Sequence, residues 1–431
     1  MESIENIFQQ AVKHQINGEL EKAEFLYLDI LKRNNNHLSS LVNLGIIYKA
    51  KGDIETAIGL YKLALSLEAD DPITSANLCR ALQQFDRLDE ALFYGKRALT
   101  IQPNLLDICF NVGNILIQQG KLEEAFQYFR HILQISPNDA DAQASIGQIL
   151  VRQNQLEEGK SELEKALELN PKDLNTRRWL AVVNRLLKGQ TKLKFFYEEL
   201  PIKFEITSKN IGPAMYHVSG LFYELKELEI IRKNIRAKDV IVDVGSNTGN
   251  HLVYFSKIMK AGKVIPIEFH PETIELLKRH IYFNEIENAD LSKLGYAVGK
   301  ERGEFLLAEH PANDLCLTEV FTSDRHNNSY QHRGDKETKI EVIPLDELIE
   351  EKVDFLKIDV EGLELDVLQG AKNIFLKFRP DAMVEVKKAN QKSFFNLLEK
   401  MGYRVVEEIQ YWSYSNIYIQ PIEKKKLGTG N

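Results

Sequence analysis

The sequence predicts an all-α superhelix of repeated helix pairs followed by an α/β domain on a mixed, mostly parallel sheet of seven strands. Three observations carry this. Small residues recur every 34 positions through the first 173 residues. An apolar run, Val240-Ile241-Val242, leads through Asp243 into a glycine-bearing turn and then into helical spacing. The last two strand-like runs, 403–408 and 416–420, are joined by seven residues, too few for a parallel crossover, so they must pair as a hairpin.

The period is read from three columns. Ala11, Gly45, Cys79, Gly113 and Gly147 form the first; Ala23, Ala57, Ala91, Ala125 and Gly159 form the second. Tyr27, Tyr61, Gly95, Phe129 and Leu163 form a bulkier third, in which Gly95 is the odd member. Pro103, Pro137 and Pro171 close successive units. Small residues where two helices cross, with proline after the second helix, mark tetratricopeptide repeats. Five units are legible, 4–37, 38–71, 72–105, 106–139 and 140–173, and an amphipathic helix over 174–187 caps the stack. Such a stack presents a concave groove that usually holds a protein or peptide partner. Asn43, Asn77 and Asn111 share one position on successive first helices. Their amides, each both donor and acceptor, could read an extended peptide backbone, or could instead bond a neighbouring helix. The arrangement resembles the asparagine ladder in the repeats of protein O-glycosyltransferases.

In the second half, Asp243, Gly245, Asn247 and Gly249 give D-x-G-x-N-x-G. Glycines at a strand-to-helix turn permit positive φ and close approach of the backbone to a ligand. The third glycine of a dinucleotide fingerprint and the Lys-Thr of a phosphate loop are both missing. The next strand, 264–267, ends in Glu268, placed to accept from both hydroxyls of a ribose. A further strand, 353–358, runs into Asp359, Glu361 and Glu364, and 382–386 follows with Glu385. With 240–244, 294–298 and the terminal hairpin, seven strands result, the last one reversed. Two extra runs, 303–309 and 339–343, flank a polar loop holding His326 and His332 as candidate bases.

VDVGSNTGN (242–250), IEFHPE (267–272), PLDEL (344–348) and LKIDVEGLELDVLQGA (356–371) resemble the FkbM-type methyltransferases. These are S-adenosylmethionine-dependent enzymes that mostly methylate hydroxyl oxygens of sugars or natural products. The resemblance implies a class I, Rossmann-like methyltransferase domain. It implies S-adenosyl-L-methionine held by Asp243, Gly245, Ser246, Asn247, Gly249, Glu268 and Phe269. Asp359 and Glu361 stand where an acceptor's proton would be taken, or where Mg²⁺ would find oxygen ligands. Glu364 could join them or cap the next helix, and Glu224 or Glu227 could reach the cofactor. The expected function is O-methylation of a glycan, glycoconjugate or hydroxylated natural product. An inactive domain on a repeat scaffold, and methylation of protein or of nitrogen, are the alternatives. Expected boundaries are 1–188 for the repeats with their cap, 189–223 for a connecting segment and 224–431 for the catalytic domain.

Composition narrows the partners. The first 173 residues hold 17 Lys and Arg against 25 Asp and Glu, and the remainder holds 38 of each, so no basic footprint for nucleic acid exists. Three cysteines without C-x-x-C spacing argue against disulfides or zinc and suit a reducing, cytoplasmic setting. No signal-peptide pattern or membrane-spanning run is expected.

Overall fold

Five helix pairs fall at the predicted period in this computed structural model, which describes residues 2–307, 338–360 and 362–423. They are Ile4–Ile16 with Leu20–Arg33, Leu38–Ala50 with Ile54–Leu67, Pro72–Gln84 with Leu88–Ile101, Leu106–Gln118 with Leu122–Ile135, and Ala140–Arg152 with Leu156–Leu169. The columns explain the pairing. A Cβ on Gly45 would lie 2.5 Å from the Tyr61 ring, and one on Gly113 2.6 Å from Phe129. The small residue of each first helix therefore receives the bulky residue of the second. In the third pair the bulk is exchanged: Cys79 faces Gly95, whose missing Cβ would sit 2.9 Å from the sulfur. Burial accounts for Cys79, whose thiol is pushed up to about 12, and Cys109 is buried too.

The chain folds as two compact units, Met1–Ala142 and Gln143–Asn431. In the second, Val151 and Leu163 of the fifth helix pair and Trp179, Val182 and Val183 of the helix Leu174–Leu187 share a core with Ile206, Ile211 and Ala214. The connecting segment is ordered. Strands β1 (Lys192–Tyr197) and β2 (Leu200–Glu205) pair antiparallel, and a helix, Ile211–His217, follows.

The main sheet is built from β3 (Val240–Val244), β4 (Lys263–Ile267), β8 (Phe355–Ile358), β9 (Asp381–Lys387), β10 (Tyr403–Gln410) and β11 (Tyr414–Pro421). Its order is β10-β11-β9-β8-β3-β4. The terminal hairpin forms as expected: β11 is antiparallel to both β9 and β10. The seventh strand is a correction. The run at 294–298 becomes β5 (Tyr296–Gly299), which leaves the main sheet to join β6 (Gly303–Leu307) and β7 (Thr338–Pro344). One bond, Gly295 N to Glu268 O at 2.8 Å, ties its start to the end of β4. Parallel pairing with β7 then takes all four of its residues.

The two faces of the main sheet differ. One buries Val242, Leu356, Val384 and Ile417 against Leu368, Phe375 and Phe394. The other begins with Ile241, Phe355, Met383 and Tyr418 packed on Phe222, Leu228 and Phe255. Because side chains alternate along a strand, the next residues on this second face are Asp243, Lys357, Glu385 and Asn416. Register puts them on one face with a stagger of two residues between β8 and β9: Asp243 pairs with Lys357, Lys357 with Met383, and Asn416 with Glu385. The face thus turns from apolar to charged at the carboxyl ends of the parallel strands, where open α/β sheets bind ligands.

Candidate active site

The turn after β3 is stitched to its neighbours by main-chain bonds. Gly245 N and Ser246 N both donate to Ile267 O, at 3.0 and 3.1 Å, and Asp359 N donates to Val244 O at 3.0 Å. Gly245 has φ +80°, and a Cβ there would meet the Asp359 carbonyl oxygen at 1.8 Å. No other residue fits. Asn247 also takes positive φ, +47°, and its N–H donates to Glu268 Oε2 at 3.0 Å. Glu268 Oε1 accepts from Phe269 N and His270 N, both at 2.9 Å. Burial pushes the Glu268 carboxyl up, while those three main-chain donors work against it. Gly249, φ +85°, starts the helix Asn250–Val253. Phe269 is half-buried, edge-on to Phe305 of the small sheet with ring centres 5.4 Å apart.

Asp243 is the anomaly. Its side chain is wholly buried, yet neither carboxylate oxygen has a hydrogen-bond partner among the described residues. Ser246 Oγ donates to the main-chain oxygen of Asp243 instead. Burial raises its pKa, with His251, Lys357 and the nearby Ser246 hydroxyl pulling the other way. A buried acid without donors costs folding free energy, which a ligand bearing positive charge or N–H and O–H donors would recover.

Beside it, Lys357 is a lysine inside a buried strand. Its side chain is 1% exposed and its Nζ donates to Asp359 Oδ2 at 3.0 Å. Burial pulls its pKa down, but Asp359, Glu224, Glu385 and Asp243 outweigh that and keep it well above the usual lysine range. Glu224 sits at the start of the helix Leu225–Asn234 with φ +54°. His251 Nε2 lies 3.0 Å from its Oε2. Burial acts to raise Glu224, and Lys357 and His251 together hold it below the carboxylate range. Oxygens of Glu224, Asp359 and Glu385 lie within 4.8 Å of one another.

The helices behind are keyed to the turn by neutral polar groups. Asn250 Oδ1 accepts from Tyr223 N at 3.1 Å and from His217 Nε2 at 3.0 Å, and its amide donates to Tyr223 O at 2.9 Å. His280 accepts from Glu205 N at 2.8 Å through Nε2 and donates to Thr248 O at 2.7 Å through Nδ1.

The structure therefore gathers Asp243, Gly245, Ser246, Asn247, Gly249 and Glu268 around one turn, with Phe269 at its flank. Asp359 faces the same crevice. Glu361, His326 and His332 lie outside the described residues. Glu364 opens the helix Glu364–Gly370, accepts from Gly362 N at 2.6 Å, and is pushed up to about 7 by burial. Glu227 is buried and accepts from Asn416 Nδ2 at 3.2 Å and from the Tyr411 hydroxyl. Lys357, Glu385 and His251 received no role from the sequence, although a lysine within Phe-Leu-Lys-Ile-Asp breaks an otherwise apolar strand and could have been noticed. In the repeats, Asn43 donates to the Tyr27 hydroxyl of the preceding unit at 3.0 Å, the neighbouring-helix alternative. Asn77 accepts from Arg80 at 3.0 Å, and Asn111 is half-buried.

A parallel sheet with a reversed strand beside its edge, and a glycine turn and two acids at its carboxyl ends, defines an α/β domain of the methyltransferase class. Residues 243–405 match the methyltransferase FkbM domain family, and 40–73 and 116–186 match tetratricopeptide repeat families. The chain thus carries an FkbM methyltransferase domain behind tetratricopeptide repeats. It is 25% identical over 214 residues to Methyltransferase 1 of Beauveria bassiana (strain ARSEF 2860), covering 43% of this chain and 85% of that protein. It is 23% identical over 209 residues to Methyltransferase sdnD of Sordaria araneosa, covering 42% and 79%. Among solved structures, the MamA protein is similar at 22% identity and TM-score 0.37 over 39% of this chain and 92% of MamA. YrrB, a TPR protein, is similar at 18% identity and TM-score 0.35 over 38% and 84%. No helix among the described residues is long and apolar enough to cross a membrane.

Proposed function

We propose that this chain transfers a methyl group from S-adenosyl-L-methionine to a hydroxyl oxygen of a glycan, glycoconjugate or natural product. The observation that carries the donor is Asp243, a buried acid with both oxygens unused at the end of β3. S-adenosylmethionine brings a sulfonium, an ammonium and hydroxyl donors, the chemistry this carboxylate lacks. Glu268, fixed by three N–H groups, keeps lone pairs for ribose hydroxyls. Gly245, Ser246, Asn247 and Gly249 let the backbone come close, and Phe269 offers a ring beside the site. When bound, the donor supplies an electrophilic methyl for in-line displacement. The protein's task is to align donor and acceptor and exclude water. An alcohol also needs its proton taken as the new bond forms. We assign that role to Asp359, which follows β8, with Glu361 as its companion. The repeats, through the positions Asn43, Asn77 and Asn111, are assigned to recruiting a protein partner or a protein-borne substrate. The functional boundaries follow as 1–188 for recruitment, 189–223 for the hairpin segment and 224–431 for transfer.

Two measurements test this. Calorimetric titration of the full chain with S-adenosylhomocysteine should give one saturable site; no heat at millimolar ligand removes the donor assignment. Incubation with methyl-labelled donor and host extract should then place label in glycan or small-molecule fractions. Label found only on polypeptide nitrogen or carboxyl groups overturns the acceptor.

A further inference from the structure

We propose that Lys357 is the built-in cation of the acceptor site, filling the space in which Glu224, Asp359 and Glu385 would otherwise hold a divalent metal ion. The three carboxylates come from three elements, the start of the helix Leu225–Asn234, the end of β8 and the end of β9. Their nearest oxygens lie within 4.8 Å of one another, close enough to share one ion. Like charges so placed must be offset by a proton or by a nearby cation. Metal chemistry would answer with oxygen ligands at roughly 2.0 to 2.6 Å. This chain answers with an ammonium.

Lys357 has three N–H donors and no acceptor, which suits a ring of carboxylates. It reaches them from inside the sheet. It lies two residues before Asp359 on the same face of β8, in register beside Asp243, with its Nζ 3.0 Å from Asp359 Oδ2. A fixed ammonium at hydrogen-bond distance from a would-be ligand oxygen repels a divalent ion and takes its volume. His251 Nε2 lies 3.0 Å from Glu224 Oε2. Lys357 is then a positioning residue: it sets the Asp359 carboxylate relative to the acceptor. Only this last consequence rests on the methyl-transfer reading.

The test uses the full chain, stripped with EDTA and titrated with Mn²⁺ while the electron paramagnetic resonance signal of free Mn²⁺ is followed. The wild-type protein should leave Mn²⁺ free at one equivalent. Lys357→Met, which opens the space and keeps the volume apolar, should gain one Mn²⁺ site at least tenfold tighter than any wild-type binding. Lys357→Arg should gain none. Adding Glu385→Gln to Lys357→Met should abolish the gained site. One-to-one Mn²⁺ binding by wild type that Glu385→Gln removes would overturn the proposal, as would a folded Lys357→Met that binds nothing. If Lys357→Met does not fold, the wild-type and Glu385→Gln titrations decide alone. Because no donor or acceptor enters the experiment, its result is independent of whether methyl transfer occurs.

Discussion

Glycine does different work in the two units. In the repeats, Gly45 and Gly113 each leave room for a ring from the partner helix, Tyr61 or Phe129. At the end of β3, Gly245 leaves room for a main-chain carbonyl, Asp359 O. A ring can tilt or be exchanged for something smaller, as the Cys79–Gly95 pair shows. A carbonyl fixed at the tip of a central strand cannot. The first kind of glycine is a packing choice repeated along the repeats; the second recurs at Gly262 and Gly370, against Lys238 O and Gly299 O, and at Gly245 it holds two loops at the spacing a ligand needs.

That difference predicts unequal costs. Gly245→Ala should have the largest effect, because φ +80° and the 1.8 Å approach force the two strand-end loops apart. Donor affinity should fall more than about 100-fold, about 3 kcal/mol, by calorimetry. A variant that still binds S-adenosylhomocysteine near wild-type strength would show that the loops can separate harmlessly. Asp243→Asn comes next. Losing a charged partner should weaken the donor by roughly 10- to 100-fold. The melting temperature should hold or rise, since an unpartnered buried carboxylate is removed. A large fall in melting temperature without change in affinity would make Asp243 structural.

Gly113→Ala should do the reverse. Overpacking against Phe129 should cost about 1–3 kcal/mol in urea unfolding and leave donor affinity alone. Gly113→Cys with Phe129→Gly copies the natural Cys79–Gly95 exchange, so the double variant should be more stable than the two single costs added together. Simple additivity would mean the column is not a unit of packing.

What the sequence made legible follows the same division. A column repeated five times is over-determined, so every helix pair could be placed before any coordinates. The crevice was legible where chemistry leaves a motif, in Asp243, Gly245 and Glu268. It was opaque where function depends on the register of strands far apart in sequence. Nothing near Glu224 or Glu385 says that they come together with Asp359; the pairing of β8 with β9 and the docking of the helix Leu225–Asn234 do that. The departure of β5 was hidden for a similar reason. Its residues suit either sheet, and the choice is made by β7, more than forty positions downstream.

The smallest predicted effect is one of pH, and it belongs to the second unit. His280 and His217 are held neutral by burial, their pKa values pulled down to about 4 and about 3. Unfolded, each would take a proton below about pH 6.5. Their neutral contacts therefore stabilise the second unit fully above pH 6.5, and this is lost as pH falls from 6.5 toward 4, approaching about 1.4 kcal/mol per pH unit for each histidine. Glu364 acts in the opposite sense. Raised to about 7, it keeps a proton in the fold that the unfolded chain has lost above its ordinary value of 4.5. Glu364→Gln should thus steepen the acid slope, and His280→Gln should flatten it. The tryptophans supply the readout, because Trp179 and Trp412 both belong to the second unit. Their fluorescence should give a urea midpoint that drops from pH 6.5 to 5. A fluorescence midpoint independent of pH in the Glu364→Gln variant would mean that His217 and His280 are not held neutral by the fold.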